Sequence, residues 1–290
     1  MDKILIRGGN PLNGTIHVRG AKNAALPLMA ASILAENPCV LHNVPCLHDI
    51  FSMDKLLSFM GTKIDFTGRY MTLDTTGIEC PEAPYDLVRK MRASFFVLGP
   101  LIARFGRARV SLPGGCAIGT RPVDIHLKGL EALGCKIELD EGYVVAEGKL
   151  TGASYTLDFP SVGATETLMM AASRAEGLTR LTNVAREPEI ENLADFLNAM
   201  GAQISGAGSD MITVVGVDKL NGVEHEVIAD RIEAGTFLIA GAATRGDITV
   251  LDVNANHLPT FLDKLREAGA DIEVSEGKIR VSAPNGLQAV

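Results

Sequence analysis

The sequence is poor in positive charge and in long apolar segments, and each shortage excludes a class of protein. Its 27 Lys and Arg residues are outnumbered by 35 Asp and Glu residues, which leaves a net charge of −8. Such a chain is a poor match for nucleic acid or an anionic membrane. Residues 24–35 are too few to cross a bilayer, and residues 1–7 lack the apolar region of a signal peptide. We therefore expect a cytoplasmic protein with neither partner.

Cysteine is also sparse, and its spacing shows no pairing pattern. The five cysteines are scattered without a CxxC pair, at Cys39, Cys46, Cys80, Cys116 and Cys135. An odd, scattered set fits a reducing compartment rather than a disulfide framework. Hydrophobic residues make up 47% and charged residues 21% of 290 positions, which indicates a folded protein with a large core. The length favours two domains.

One short pattern returns four times along the chain. In each copy a glycine follows an amphipathic run and precedes an alternating run. A glycine in that place predicts a helix C-terminus, and the alternating run after it predicts a strand. The four glycines are 73, 67 and 68 residues apart, at Gly61, Gly134, Gly201 and Gly269.

Each copy begins with a helix that is rich in small residues. These helices are predicted over residues 23–36, 86–105, 164–176 and 235–245. A strand follows, and in three copies it ends alike, at Asn43-Val44, Asn183-Val184 and Asp252-Val253. The repeat is therefore helix, strand, helix, strand, strand, ~70 residues long. Such an α/β unit must pack on copies of itself to cover its helices and sheet.

Four copies do not divide evenly into compact groups. Three copies are enough for one lobe, but four do not make two lobes. The last residues, 287–290, read as the start of a further strand. From the period alone we infer that the chain is a fragment, or that another chain supplies its complement.

The second copy differs from the others because a long loop replaces its short turn. Residues 113–122 contain three glycines, two prolines, Cys116 and Arg121. Glycines let the backbone close on a ligand, and prolines stiffen the ends of the loop. A thiol beside cations titrates near neutrality and suits a general acid, whereas most free cysteines are small buried hydrophobes. Within this loop, Cys116 is the strongest candidate for chemistry.

Two other patterns resemble binding motifs but fail on spacing. Residues 39–48 hold two cysteines and two histidines, yet Cys39 and His42 would point to opposite faces of a strand. A zinc site is therefore not expected. Residues 114–121 nearly form a phosphate-binding loop, but the lysine it requires is absent. Cys39 and Cys135 lie in strand-like runs, where we expect them to be buried.

Five motifs together resemble one enzyme family. They are residues 20–27 (GAKNAALP), 91–94 (MRAS), 112–119 (LPGGCAIG), 121–124 (RPVD) and 230–236 (DRIEAGT). On these motifs the chain resembles the UDP-N-acetylglucosamine enolpyruvyl transferase family. The resemblance covers all 290 residues in order.

The resemblance implies the enolpyruvyl transferase fold, an inside-out α/β barrel of two lobes, each of three α-β-α-β-β repeats around a cleft. In that family the first strand segment pairs with the second lobe. Residues 21–229 are then expected to form one complete lobe, and residues 1–20 with 230–290 part of the other. Two further repeats, ~140 residues, are expected to complete it, so the chain's own missing C-terminal repeats are an expected partner.

The implied reaction transfers enolpyruvate from phosphoenolpyruvate to the 3-hydroxyl of UDP-N-acetylglucosamine by addition and elimination, with release of phosphate. It is the first committed step of peptidoglycan synthesis and needs no metal or organic cofactor. A sister family that uses shikimate 3-phosphate shares the fold, but residues 112–119 and 121–124 match the sugar-nucleotide branch. The alternative is a nucleotide-sugar binding lobe or assembly subunit with little turnover, since an aspartate general base and further arginines lie in the repeats outside this sequence.

The resemblance also assigns roles to single residues. Cys116 matches the acid that protonates the phosphoenolpyruvate methylene group and is alkylated by fosfomycin. Lys22, Arg92 and Arg121 match an anion clamp, and Lys22 and Arg121 are expected to act in catalysis with Cys116. A guanidinium holds phosphate or carboxylate bidentately, while a lysine at a helix start acts as a point charge. Asn23 is expected to hydrogen-bond substrate.

The remaining matches concern the sugar nucleotide and the cleft. A uridine-binding segment is matched by Pro122, Val123, Asp124 and Ile125, and a diphosphate contact by Ser161, Val162 and Gly163. Ser161 also reads as a helix N-cap, and both roles are compatible because a capped helix end still presents N–H groups. Asp230 and Glu233 match cleft positions, with helix capping as an equal alternative.

Overall fold

The computed structural model describes residues 3–89, 91–113 and 123–290. In these ranges the chain alternates helices and short strands. The strands are β1 (Asn13–His17), β2 (Cys39–His42), β3 (Lys63–Phe66), β4 (Met71–Asp74), β5 (Glu82–Ala83), β6 (Arg107–Ser111), β7 (Lys136–Asp140), β8 (Tyr143–Glu147), β9 (Ser154–Thr156), β10 (Leu178–Thr182), β11 (Gln203–Ser205), β12 (Met211–Val215), β13 (Glu224–Glu226), β14 (Asp247–Leu251), β15 (Asp271–Ser275) and β16 (Lys278–Ser282). The α-helices are α1 (Lys22–Ala31), α2 (His48–Met60), α3 (Tyr85–Val88), α4 (Leu98–Phe105), α5 (Asp124–Ala132), α6 (Val162–Ala172), α7 (Pro188–Ala199), α8 (Arg231–Ala243) and α9 (Pro259–Glu267). Shorter 3-10 helices span Ser32–Leu34, Arg92–Val97 and Ala255–His257.

The chain divides into two compact units. The larger unit is Lys22–Ile228, and the smaller unit combines Met1–Ala21 with Ala229–Val290. The larger unit holds three copies of the repeat, and the smaller unit holds the fourth copy together with β1. Whether these units are a complete and a partial lobe stays a proposal.

Each repeat completes its sheet with a strand that comes from elsewhere in the chain. The sheet orders are β13-β2-β4-β3, β5-β6-β8-β7, β9-β10-β12-β11 and β1-β14-β16-β15. In every sheet the first-named strand runs parallel to the second, and the other pairs are antiparallel. In the larger unit the donated strands are β5, β9 and β13, and β13 returns to the first sheet. The three repeats therefore exchange strands in a closed cycle. The predicted α/β repeat is confirmed, and within the described ranges each sheet is open.

The four recurring glycines end their helices as predicted. Gly61, Gly134, Gly201 and Gly269 have φ values of 110°, 90°, 111° and 94°. This left-handed conformation costs a glycine little, because it has no Cβ. At Gly61 the N–H bonds back to the carbonyl of Ser58, which closes the last turn of α2. The helix boundaries read from glycine are confirmed.

The three shared strand ends also adopt one conformation. Asn43, Asn183 and Asp252 have φ values of 56°, 55° and 60°, in the left-handed region where Asn and Asp are the usual non-glycine residues. Each asparagine donates from its amide to a carbonyl just beyond the parallel edge strand, at 3.1 and 2.8 Å. An aspartate carboxylate cannot donate, and Asp252 instead lies 2.7 Å from His17 Nδ1, at the end of β1. In these three sheets, the residue at the strand end therefore links the strand to the parallel strand beside it.

The long helix predicted over residues 86–105 is wrong. The described parts of that segment are α3, the 3-10 helix Arg92–Val97 and α4. Met91 is extended (φ −149°, ψ 118°) and interrupts the helical path. Pro100 lacks the N–H that would bond the carbonyl of Phe96, so the turn before it is not a regular α-turn. The strand predicted at residues 287–290 is not formed either, and no partner strand lies beside it among the described residues.

The inner helices α1 and α6 are buried on nearly all sides. In α1 the eight residues from Ala24 to Ala31 are buried, and in α6 the nine from Ala164 to Ala172 are buried. A helix that is apolar all round requires such surroundings. Cys39 and Cys135 are buried as predicted, and desolvation raises the pKa of each thiol to about 11. No helix in the described ranges is long and apolar enough to span a membrane.

Candidate functional site

Those predicted site residues of the larger unit that the structure describes lie at the N-termini of helices. Lys22 and Asn23 are the first residues of α1, and Arg92 is the first residue of the 3-10 helix. The rest occupy the starts of α5 and α6: Val123 (cap of α5), Asp124, Ile125, Ser161 (cap of α6), Val162 and Gly163. Free N–H groups and the positive end of the helix dipole make such positions favourable for anions.

The helices that carry these residues pack on one another in the larger unit. The 3-10 helix that begins at Arg92 contacts both α1 and α6, and α5 also packs on α6. A Cβ on Gly163 would lie only 3.2 Å from His126 Cε1, so the second residue of α6 touches the third residue of α5. A side chain at 163 would therefore push the rings of His126 and Phe96 back by a few tenths of an ångström.

Lys128 bridges the same two segments from the surface. Its Nζ lies 3.0 Å from Asp158 Oδ2 and 3.7 Å from Asp124 Oδ2. Asp124 starts α5, and Asp158 lies three residues before the N-cap Ser161. All three side chains are about half exposed, so these ion pairs connect the two helix starts at the surface but contribute little energy.

His126 is a buried neutral group beneath the site. Burial and the nearby Arg92 guanidinium, against an opposing effect of Asp124, together lower the pKa of His126 to about 4. Its Nδ1 lies 3.0 Å from Thr167 Oγ1, and its ring packs edge-on against Phe95. His126 therefore ties α5 to α6 without adding a charge at neutral pH.

Lys22 has an acidic partner on the next helix. Its Nζ lies 2.8 Å from Oδ2 of Asp49, which is in the first turn of α2. The ammonium group is thus held at the starts of both α1 and α2. Asn23, beside it, is exposed.

Ser161 caps α6 as predicted. Its Oγ accepts the N–H of Ala164 at 3.4 Å, and its carbonyl accepts the N–H and hydroxyl of Thr165 at 2.9 and 2.8 Å. A cavity of ≈ 500 Å³ opens beside this cap, lined by Pro160, Asn183, Val184, Ala185, Arg186 and Glu187. There is therefore space for a ligand group next to the start of α6.

Asp230 and Glu233 lie in the smaller unit, at the start of α8. Asp230 Oδ1 accepts the N–H groups of Ile232 and Glu233 at 2.8 and 3.0 Å, which makes it the N-cap. Glu233 Oε2 accepts the N–H of Arg19 at 3.0 Å. Asp230 thus caps α8, and Glu233 ties the start of α8 to the segment after β1. A role of either residue in substrate binding stays a prediction.

Three predicted site residues, Cys116, Arg121 and Pro122, lie outside the described residues. The description stops at Pro113, just after β6, and resumes at Val123, just before α5. Their roles remain predictions from the motif. Elsewhere, the described ranges contain no group of three or more His, Cys, Asp or Glu side chains that could hold a metal ion.

Sequence reasoning missed four residues that shape this region: Asp49, His126, Lys128 and Glu166. The signal for Glu166 was present, since it is the one charged residue between Val162 and Ala172. His126 follows directly on the predicted uridine segment. Asp49 and Lys128 carry no local signal, because their roles arise from contacts across the fold.

Comparison with known proteins places this arrangement in a family. Residues 6–290 match the family described as EPSP synthase (3-phosphoshikimate 1-carboxyvinyltransferase). A UDP-N-acetylglucosamine 1-carboxyvinyltransferase of Desulfosudis oleivorans is 54% identical over 291 aligned residues, which cover 100% of this chain and 70% of that protein. One of Desulfatibacillum aliphaticivorans is 53% identical with the same coverage.

Solved structures of distant relatives share the fold. The enolpyruvyl transferase NikO from Streptomyces tendae superposes with a TM-score of 0.86 at 22% identity, over 96% of this chain and 67% of that one. An EPSP synthase from Acinetobacter baumannii gives a TM-score of 0.72 at 21% identity, over 98% and 67%. The family match and two relatives above 50% identity lead to one conclusion: the chain belongs to the EPSP synthase family of enolpyruvyl transferases.

Proposed function

We propose that this protein transfers the enolpyruvyl group of phosphoenolpyruvate to the 3-hydroxyl of UDP-N-acetylglucosamine and releases phosphate. The observation that carries the proposal is the 54% identity, over the whole chain, to a named UDP-N-acetylglucosamine 1-carboxyvinyltransferase. Lys22, Arg92 and the Ser161–Gly163 segment support it, since they stand at the starts of three helices that pack on one another. Both substrates are anions, and an acidic protein needs such a local cluster to hold them.

In this proposal the starts of α5 and α6 bind the sugar nucleotide. The free N–H groups of α6 face the diphosphate, and Asp124 and Ile125 flank the uridine. Lys22, Arg92 and Arg121 hold the phosphate and carboxylate of phosphoenolpyruvate. Cys116 protonates the methylene carbon while the sugar oxygen adds to the neighbouring carbon and its proton passes to a base in the repeats outside this sequence. The new methyl group then loses a proton as the bond to phosphate breaks, which restores the double bond.

Cys116 is expected to be the site of a single fosfomycin adduct. A thiol in a cationic loop is present partly as thiolate, which opens the epoxide. We expect the intact mass to rise by one fosfomycin and the rate of labelling to increase ~10-fold or more with UDP-N-acetylglucosamine present, because the sugar nucleotide completes the anion site. Intact-mass spectrometry on the 290-residue chain measures both.

Cys116→Ser is the control, since it keeps a hydroxyl but loses the thiolate. Cys46→Ser tests the alternative of a merely exposed thiol, as Cys46 is exposed and free. Labelling that persists in the Cys116 variant and disappears in the Cys46 variant would refute the assignment. A folded chain that binds the sugar nucleotide but forms no adduct supports the binding-lobe alternative.

Ser161 is expected to contribute both to stability and to binding. Ser161→Ala removes the cap and should cost ~1 kcal/mol of unfolding free energy. Ser161→Asp keeps a strong cap but places a negative charge where we put the diphosphate, so it should retain stability and lose ~10-fold or more in affinity for UDP-N-acetylglucosamine. Denaturant unfolding and calorimetric titration separate the two roles. Equal affinity in wild type and Ser161→Asp would place the diphosphate elsewhere.

The acceptor can be tested by binding alone. Saturable binding of UDP-N-acetylglucosamine, without saturable binding of shikimate 3-phosphate, is expected. The opposite preference would indicate that the acceptor is shikimate 3-phosphate, as in the EPSP synthases.

A further inference from the structure

Asp49 forms an ion pair with Lys22, one of the predicted substrate-binding residues. The two side chains are 32% and 38% exposed, and their charged atoms lie 2.8 Å apart. Lys22 is the first residue of α1, and Asp49 is in the first turn of α2. Strand β2 lies between the two helices in sequence and brings the start of α2 next to the start of α1. The ion pair therefore joins the starts of an inner and an outer helix of one repeat.

The charges explain why this pair forms. A cation at a helix N-terminus faces the positive end of the dipole, which disfavours it. A carboxylate at the same end of α2 is favoured by that helix and offsets the ammonium charge of Lys22. A lysine side chain has a flexible four-carbon stem and loses conformational entropy when it binds an anion in one fixed position. A fixed partner removes part of that loss before the anion arrives.

We propose that Asp49 is a positioning residue that holds the Lys22 ammonium where phosphoenolpyruvate binds. The proposal rests on the function proposed above, in which Lys22 contacts that substrate. Asp49 accepts one of the three ammonium donors, and the others remain available to an anion from the open side.

The central test compares Asp49→Asn with Asp54→Asn. Both acids lie on α2, and Asp54 accepts the hydroxyl of Ser58 rather than an ammonium. In Asp49→Asn we expect the dissociation constant of phosphoenolpyruvate, measured by calorimetry with UDP-N-acetylglucosamine present, to rise ~10-fold. Affinity for the sugar nucleotide and the melting temperature should change little, and Asp49→Glu should recover part of the loss. Asp54→Asn should match wild type.

A double-mutant cycle tests whether Asp49 works through Lys22. In a Lys22→Met background, Asp49→Asn should have no further effect on phosphoenolpyruvate affinity. A full additional loss would show an independent structural role and overturn the proposal. Tighter binding in Asp49→Asn would overturn it too, because Asp49 would then compete with the anion.

The NMR signals of Lys22 test the positioning role of Asp49 without substrate, and so independently of the proposed function. The two ε-protons of a lysine give distinct NMR signals when the side chain is fixed and one averaged signal when it moves freely. We expect distinct signals for Lys22 in wild type and in Asp54→Asn, and an averaged signal in Asp49→Asn. An averaged signal in wild type would refute the positioning role. Distinct signals without any phosphoenolpyruvate binding would refute the function and the substrate role together.

Discussion

Replacing Glu166 with methionine is expected to stabilise the larger unit by ~2–4 kcal/mol at pH 8. Glu166 lies in α6 and is fully buried, and neither carboxyl oxygen has a hydrogen-bond partner among the described residues. Burial, together with the nearby Glu189 and Glu187, raises the pKa of this carboxyl well above its usual range. A methionine has similar length, carries no charge and is flexible enough to fill the same space.

The stability gained by Glu166→Met should increase with pH. The folded protein holds the Glu166 proton more tightly than the unfolded chain, whose glutamates titrate near ~4.3. Below pH ~4.3 the Glu166 carboxyl is protonated in both states and does not reduce the stability of wild type. Above that pH the free energy of unfolding of wild type falls until the pH reaches the raised pKa of the folded state. The methionine variant lacks this fall, so its advantage grows from pH 4 to pH 8.

Urea unfolding at pH 5 and pH 8 measures the effect. Glu131→Met is the matched control, since Glu131 is exposed on α5 of the same unit and should give no gain. An advantage that is equal at both pH values would contradict the proposed cause. A loss of activity in a stabilised Glu166→Met variant would indicate that the buried acid is retained for function.

Adding one methyl group at Gly99 is expected to cost ~2–3 kcal/mol. Gly99 lies in α4 where it crosses α6, and a Cβ there would be 2.5 Å from the carbonyl oxygen of Thr167. The obstacle is backbone, so the two helices must move apart. Helix propensity alone predicts the opposite sign, since alanine is favoured over glycine by ~1 kcal/mol. The sign of the change therefore shows which effect dominates.

Gly235→Ala is the matched control in a helix without such a crossing. A Cβ on Gly235 would meet only ring atoms of Phe261, at 3.5 Å or more, which is ordinary contact. We expect this variant to stabilise the smaller unit by ~0.5–1 kcal/mol. Thermal unfolding of both variants makes the comparison, and a stabilising Gly99→Ala would refute the close crossing.

Gly99→Ala should also disturb the candidate site. Thr167 Oγ1 lies 3.0 Å from His126 Nδ1, and His126 touches Gly163 at the start of α6. A shift of Thr167 therefore changes the spacing between α5 and α6. We expect the His126 ring protons to shift in NMR spectra and the affinity for UDP-N-acetylglucosamine to fall, even where the variant remains folded.

Local signals in the sequence were enough for much of the fold. Gly61 and its three counterparts end helices because of backbone chemistry that a single residue supplies, and Ser161 caps a helix for the same reason. The helix predicted over residues 86–105 was wrong because extended Met91 interrupts it and because Pro100, inside α4, cannot hydrogen-bond back to the turn before it. The period of the repeat was visible, but the return of β13 to the first sheet was not.

Only those residues of the candidate site that lie within the sequence motifs could be predicted. The motif residues of the larger unit mark the helix starts, whereas the Lys22–Asp49 pair depends on how β2 returns the chain. Glu166 reads as the one charged residue between Val162 and Ala172, and only packing shows that it is completely enclosed. Contacts between distant segments carry this information, and no short window of sequence contains it.

The strand that completes the first sheet sets the order in which the larger unit can finish folding. Glu224 pairs with Val40, so this edge closes only after 184 further residues are available. Until then β2 presents an unpaired edge during synthesis, which invites pairing with other chains. A long-range closure of this kind slows folding and favours one cooperative transition over stepwise growth repeat by repeat. Removing residues 224–226 should therefore cause aggregation of all three repeats rather than loss of the third alone.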